Sequence, residues 1–521
     1  MGIPSYFSYI IKNYSNIIRS LKDVLTRDIH HLFMDCNSIV YDAFRNIENS
    51  ENMNVYQLEE LLIDLVLKQI EEYLILMKPT KTAFIAFDGV APLAKMEQQR
   101  SRRYKNSGGK TAGWSTSNIT PGTEFMKKLS KKLGKKFETY KNDSIHAKII
   151  LSTSEEPGEG EHKLFQYIRS SETIVKSDNC FVYGLDSDLI MLALFHAQYF
   201  DRIYVFREAT EFIKSSVDIE IEKENECCFM DIKKLSDSIV KEMRCGIEVR
   251  SRIYDYIFLC FFLGNDFLPH FPSLNIRTHG IDKLLELYRL YIGKFPDRIF
   301  ISEYGKELKI QWKWVSLFIK ELAKREHDYL LQEYTLREKW DRKPWSTETE
   351  KDIDFLTQSV PVIYRPEEGY ICPSEKGWES RYYKSLFESN VSVKDVCKNY
   401  VDGLQWVFKY YTAKCPDWKW RYDYHYPPLL SDLNSYVSGG VSDNFSENYP
   451  VSPSVQLAYV LPTAQHGLLK TKVRDYISKH DANLYPSQIK YKWAFCRYLW
   501  EAHVDLPGIS LEKMKTWEKV F

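Results

Sequence analysis

The hydrophobic pattern of the first half alternates short apolar runs with longer stretches of helical period. Leu32-Phe-Met-Asp35 predicts a buried strand that ends in a carboxylate, and residues 56–77 carry a helical repeat closed by Pro79. Thr82-Ala-Phe-Ile-Ala-Phe-Asp88, residues 145–151, Cys180-Phe-Val-Tyr-Gly184 and Arg202-Ile-Tyr-Val-Phe206 predict four further strands. Strands alternating with helices imply an α/β fold, with a mostly parallel central sheet flanked by helices on both faces. A helical pattern from Ile247 runs to a stop at Gly264-Asn265-Asp266. Residues 291–390 mix Trp- and Lys-rich helical segments, with a surface loop predicted over 346–354. From residue 391 the chain is aromatic and dense again: a helix predicted from Asn399 to near Tyr411, then Trp418-Lys-Trp420, then a flexible excursion over 431–454. The expected organisation is 1–290, a connector over 291–390, and a second compact region over 391–521.

Charge changes this picture locally. Lys plus Arg and Asp plus Glu each number 71, so affinity for a polyanion requires segregated charge. Residues 95–148 segregate it, with fourteen basic and four acidic side chains. Lys95, Gln99, Arg102 and Arg103 recur at helical spacing, with Pro92 suited to the first helical position, and predict a face that grips phosphate. Lys128, Lys132 and Lys136 predict a second basic stripe for a polyanion, beyond a Gly-containing loop over 101–117. The ten cysteines show no CxxC spacing, no apolar span has membrane length, and the opening six residues lack a signal-peptide pattern; an intracellular protein in a reducing compartment is expected.

The candidate chemistry is carboxylate. Three predicted strands end in aspartate (Asp35, Asp88, Asp186), and the ligand crevice of an open α/β sheet lies at those ends. Pro157-Gly-Glu-Gly-Glu-His-Lys163 adds Glu159 and Glu161. Residues i and i+2 diverge inside a helix, so the two glutamates converge only at a helix start. Asp188 and Asp266 complete a set of seven. Clustered carboxylates repel unless a cation neutralises them, which predicts a hard-metal site.

These segments resemble the eukaryotic-type 5′→3′ exoribonucleases of the XRN family. The likeness is carried by MGIP at the start, Asp35-x-Asn37, AFDGVAP around Asp88, KMEQQRSRR (95–103), NITPGTEF (118–125), PGEGEHK (157–163), YGLDSDLIML (183–192), GNDFLPH (264–270), YVDGLQWVFKYY (400–411) and the WKW and YHYPP elements. The resemblance implies a PIN/flap-nuclease-like core and a helical, aromatic-rich second region completing a substrate channel. It also implies hydrolysis of single-stranded RNA bearing a 5′-monophosphate to nucleoside monophosphates, in mRNA decay, by a cytoplasmic monomer. The family's metal site maps onto Asp35, Asp88, Glu161, Asp186, Asp188 and Asp266, with Glu159 nearby, for two Mg²⁺ ions or Mn²⁺. Its 5′-phosphate pocket maps onto Lys95, Gln99, Arg102 and Arg103. The family stacks the leading base between a histidine, here Tyr41, and a tryptophan, here Trp418 or Trp420. A flap-type DNA nuclease is the alternative, but residues 267–285 contain only Gly280 and so lack its Gly-x-Gly hairpin. A catalytically idle RNA-binding scaffold would have lost acidic residues, and none is missing.

Overall fold

The computed structural model describes all residues except 1, 4, 48–52, 107–113, 143–144, 185, 210–212, 215–225, 246–248, 306, 343 and 444. Met1, Pro4, Leu185, Ile247 and the glycine-containing part of the 101–117 segment therefore lie outside the described residues.

Seven strands form one sheet: β1 (Ile18–Arg19), β2 (His31–Asp35), β3 (Thr82–Ala86), β4 (Lys148–Ser152), β5 (Asn179–Tyr183), β6 (Arg202–Glu208) and β7 (Cys227–Asp231). Their order is β1-β7-β6-β5-β2-β3-β4. The five strands from β6 to β4 run parallel, whereas β7 is antiparallel to both its neighbours. Side chains alternate between two cores, as the pleat requires. Phe33, Phe84, Val182 and Val205 face one; Leu32, Met34, Ile85, Phe181 and Phe206 face the other. Burial on both faces explains why these strands read as continuous apolar runs.

The second face is covered by helices Asn37–Arg45, Val55–Met77 and Glu124–Phe137, whose Val40, Leu62, Val66, Leu129 and Leu133 are buried there. The first is covered by helices Gly160–Ser170 and Asp188–His196, and then by Val393–Thr412 from the far end of the chain, through Val407, Phe408 and Tyr411. The helix Leu93–Asn106 docks Leu93 and Met96 against Leu457, Val460 and Trp517, so this basic helix is pinned by the C-terminal segments.

Several expectations are corrected. The third strand begins at Lys148, and Ile145 makes only an isolated bridge to Asn142. Pro92 sits one residue before its helix, its carbonyl accepting from Met96 N at 3.0 Å. The aromatic helix opens at Val393, where Ser392 caps it. The 346–354 segment enters a helix at Glu350, and Thr349 forms a capping box with Asp352. The 101–117 segment begins as the last turns of the Leu93–Asn106 helix. The 431–454 stretch holds helix Leu430–Ser438 and is then strapped to Val393–Thr412, through Lys409 to Asp443 and Gln405 Nε2 to the Ser442 carbonyl at 3.1 Å. Finally, the second lysine stripe faces helix Val55–Met77: Lys128, Lys132 and Lys136 pair with Glu59, Glu60 and Glu71 at 2.6, 3.0 and 2.6 Å. Those three charges are matched by acids within the fold, so they give the stripe no net excess to offer a polyanion.

Candidate active site

β3, β2 and β5 are adjacent, so their ends lie within about 10 Å of one another at ordinary strand spacing. Asp35 ends β2, while Asp88 and Asp186 follow β3 and β5 by two and three residues. The 157–161 turn is brought over them by the loop after β3. Gly89 N donates to the Gly158 carbonyl and Gly158 N to the Val90 carbonyl, both at 2.8 Å. Gly158 has φ +107°, a conformation that favours glycine, and any Cβ at Gly89 would overlap the Glu156 carbonyl. Lys163 clamps the turn from below, donating to the carbonyls of Phe87 and Thr153 at 2.8 Å each; burial brings its pKa down to about 8.

Glu159 is the capping residue of helix Gly160–Ser170, and Glu161 lies in its first turn, so both turn toward the strand ends. Gly160 N donates to Asp88 Oδ1 at 2.7 Å, and a Cβ at Gly160 would overlap Asp35 Oδ1. Asn37 fixes Asp88 from the other side: its Nδ2 donates to Asp88 Oδ2 at 2.5 Å, and its Oδ1 accepts from Asp88 N at 3.1 Å. Asp188 opens helix Asp188–His196, with Gly2 packed against its carboxylate.

Lys95 Nζ enters this cluster, 2.5 Å from Glu159 Oε2 and 2.8 Å from Asp266 Oδ2. Two aromatic hydroxyls close it from helix Val393–Thr412: Tyr410 donates to Glu159 Oε1 at 2.8 Å, and Tyr411 bonds Asp188. The structure thus brings together all seven acidic residues singled out from the sequence.

The electrostatics are those of crowded negative charge. Burial pushes the Asp35 carboxyl well up, and Asp88, Asp186 and Glu159 add to it. Burial also raises Glu161, with Asp188 and Glu159 adding and Lys95 opposing. Burial raises Glu159 against Lys95, and Asp188 is pushed up to about 7 by burial and then by Asp266. Burial acts upward on Asp266 as well, but the surrounding positive charge, Lys95 first and Arg102 with it, together outweighs burial and holds that carboxyl well below the usual range. Burial disfavours the Lys95 charge, yet Asp266, Glu159 and Glu161 keep it protonated.

Two buried oxygens, Asp35 Oδ1 and Asp188 Oδ1, have no hydrogen-bond partner among the described residues. The ligand atoms of Glu159, Glu161 and His162 lie within 4.8 Å of one another. Burial holds His162 neutral, and its ring stacks on Tyr410 at 3.6 Å. An oxygen-rich donor set with unsatisfied carboxylates fits hard divalent cations such as Mg²⁺ or Mn²⁺.

Along the same helix, Gln99 and Arg103 are each 9% exposed and Arg102 is half-buried. Arg103 Nη2 donates to Thr120 Oγ1 at 2.7 Å, while Arg103 Nε and Gln99 Oε1 are buried with no hydrogen-bond partner among the described residues. Burial lowers Arg103 to about 10, opposed by neighbouring Tyr41. Arg100 turns away and is fully buried, donating to the Pro507 and Leu484 carbonyls at 2.9 Å each. The two tryptophans differ. Trp420 stacks on Trp406 at 5.1 Å and 25°, against Gly403. Trp418 is half-buried and in no ring pair among the described residues; its carbonyl accepts from Leu93 N at 2.9 Å, joining it to the start of the basic helix.

Sequence reasoning missed Tyr410, Tyr411, His162 and Lys163 as parts of the site. The glutamate-rich turn names the last two, but the tyrosines lie in a helix whose pattern signals only core.

Residues 1–113 and 106–209 match the family described as XRN 5′-3′ exonuclease N-terminus, and residues 247–373 and 367–519 match the Xrn1 helical domain. The chain belongs to the XRN exonuclease family. Relatives include 5′-3′ exoribonuclease 1 of Homo sapiens, 27% identical over 99% of this chain and 34% of its own length. The exoribonuclease 1 of Saccharomyces cerevisiae is 26% identical over 99% and 43%. Exoribonuclease 2 of Candida albicans is 25% identical over 99% and 72%. The chain thus spans 34% and 43% of the length of the first two relatives. Among solved structures, the catalytic core of Rad2 in complex with DNA substrate aligns over 84% of this chain and 94% of its own at 13% identity, with a TM-score of 0.34. No helix among the described residues is long and apolar enough to cross a membrane.

Proposed function

We propose that the protein is a 5′→3′ exoribonuclease that releases nucleoside monophosphates from single-stranded RNA with a 5′-monophosphate. The observation that supports this most is the convergence of seven carboxylates beside the helix bearing Lys95, Gln99, Arg102 and Arg103. Asp35, Asp88, Glu161, Asp186, Asp188 and Asp266 would hold two Mg²⁺ or Mn²⁺ ions, with Glu159 and Lys95 alongside. When bound, such a pair activates a water and stabilises the departing 3′-oxygen.

The chain's own groups do the rest. Asn37, the Gly160 amide and the hydroxyls of Tyr410 and Tyr411 fix the carboxylates that face the scissile phosphate. Lys95 balances their charge. The unsatisfied Arg103 Nε, with Gln99 and Arg102, receives the terminal phosphate. Half-buried Trp418, rather than Trp420 in its stack on Trp406, takes the leading base together with Tyr41. Such stacking is sequence-tolerant, about 1–3 kcal/mol per base.

The test is degradation of matched end-labelled RNAs carrying a 5′-monophosphate, a 5′-hydroxyl or a cap, with and without Mg²⁺. Metal-dependent mononucleotide release from the monophosphate form alone is expected. Equal rates on all three would remove the phosphate pocket; binding without release would remove the nuclease.

A further inference from the structure

A ladder of cations and rings stands at the far end of the basic helix. Arg497 lies between Trp340 and Tyr498, its guanidinium 4.8 and 4.7 Å from the ring centres. Arg277 lies against Tyr498 and Trp500 at 5.5 and 5.7 Å, and those two rings are nearly parallel, 14° apart with centres 6.0 Å apart. Trp500 is 47% exposed, a large apolar ring turned to solvent. Glu501 holds the arrangement in place. It pairs with Arg277 at 2.5 Å and accepts from the backbone N of Arg497 and Tyr498 at 2.7 and 3.3 Å. Among the described residues, Glu501 is the acid that acts on both Lys105 and Arg497 while already paired with Arg277, and Arg497 Nη1 is buried with no hydrogen-bond partner there.

The ladder is also tied to the site. Lys105 Nζ donates to the Trp500 carbonyl at 3.0 Å, and Lys105 follows Lys95 by ten residues, about 15 Å along one helix. Arg277 follows Asp266 by eleven residues, and His270 between them lies within electrostatic reach of both Arg277 and Glu501. The helix that enters the carboxylate cluster at one end therefore reaches the ladder at the other.

We propose that Trp340, Arg497, Tyr498, Arg277 and Trp500 form a second RNA-binding surface that holds the body of the strand downstream of the cleaved end. This rests on the reading of the substrate as single-stranded RNA. The exposed Trp500 ring offers a face on which any base stacks, with half-buried Tyr498 and Trp340 behind it, and the guanidinium charge meets the phosphates, so the surface binds without regard to sequence.

The test measures binding of the full chain to oligouridylates about four and about twenty nucleotides long in EDTA, where no cleavage intervenes. Trp500→Ala should weaken the long RNA about 5- to 10-fold and leave the short one within about twofold, while Trp500→Phe restores binding. Arg497→Gln should lower the slope of log affinity against log salt for the long RNA by about one. Photocrosslinking of 4-thiouridine RNA to the unmodified protein, which needs no variant to fold, should label residues 497–501. Equal loss on both lengths, unchanged affinity for the long RNA, or crosslinks confined to other segments would overturn the proposal. Cleavage of a short 5′-monophosphate RNA by Trp500→Ala separates the two readings: its persistence alongside unchanged long-RNA binding ends the ladder but not the nuclease.

Discussion

Replacing Lys95 by methionine isolates the electrostatic problem at the centre of this fold. The ammonium lies among buried carboxylates, 2.5 Å from Glu159 and 2.8 Å from Asp266, with its own side chain only 13% exposed. Methionine keeps most of the volume and removes the charge. Deleting one partner of a buried ion pair costs about 3–5 kcal/mol, mainly because the other charge is left uncompensated. Two carboxylates lose their partner here, although proton uptake recovers part of the loss. At about 1–2 °C per kcal/mol for a chain of this size, Lys95→Met should melt roughly 3–10 °C below the wild type in EDTA. A divalent cation supplies positive charge to the same carboxylates, so saturating Mg²⁺ should shrink that difference to about 2 °C or less. Differential scanning calorimetry of both proteins, with and without Mg²⁺, reads this directly. A variant as stable as the wild type in EDTA, or one equally destabilised in both conditions, would refute the reasoning.

Tyr411→Phe removes one hydroxyl from Asp188 and should weaken Mn²⁺ about 10- to 100-fold by calorimetric titration, whereas Tyr410→Phe, which removes one from Glu159 beside the ligands, should weaken it less, with the fold intact in both by circular dichroism. The metal-free protein should gain stability as pH falls from above 7, because Asp188, raised to about 7, with Asp35, Glu159 and Glu161 also raised, binds protons more tightly folded than unfolded. That stability is lost as pH rises through the folded values, whereas Asp266, shifted downward, acts only below the ordinary carboxylate range near 4. Melting scans across pH in EDTA and in Mg²⁺ check this; the slope should flatten with metal. Lys132→Glu should leave RNA affinity unaltered, because Lys132 already pairs with Glu60; filter binding decides.

The sheet was legible because its strands are buried on both faces. Asp35, Asp88 and Asp186 were legible because strand-end aspartates beside a glycine-rich turn make an unusual pattern. β7 was not: Cys227–Asp231 is five residues long and antiparallel, and it opens on two cysteines rather than on a β-branched run. The Lys128–Lys136 stripe misled for a definite reason. Its partners Glu59, Glu60 and Glu71 lie about seventy residues earlier, and a helical repeat shows which residues share a face but not what that face meets. Tyr410 and Tyr411 were hidden likewise, since an aromatic pair at a helix end looks the same whether its hydroxyls are idle or hold a carboxylate. Long-range pairing is what one-dimensional pattern omits.

The central claim is that carboxylates from five separate segments form one seat for two divalent ions. Anomalous scattering from crystals soaked in Mn²⁺ measures this most directly. The account predicts two peaks about 3.5–4 Å apart, bounded by Asp35, Asp88 and Asp186 on one side and Glu161, Asp188 and Asp266 on the other. Soaked crystals with no peak within reach of these side chains would contradict it.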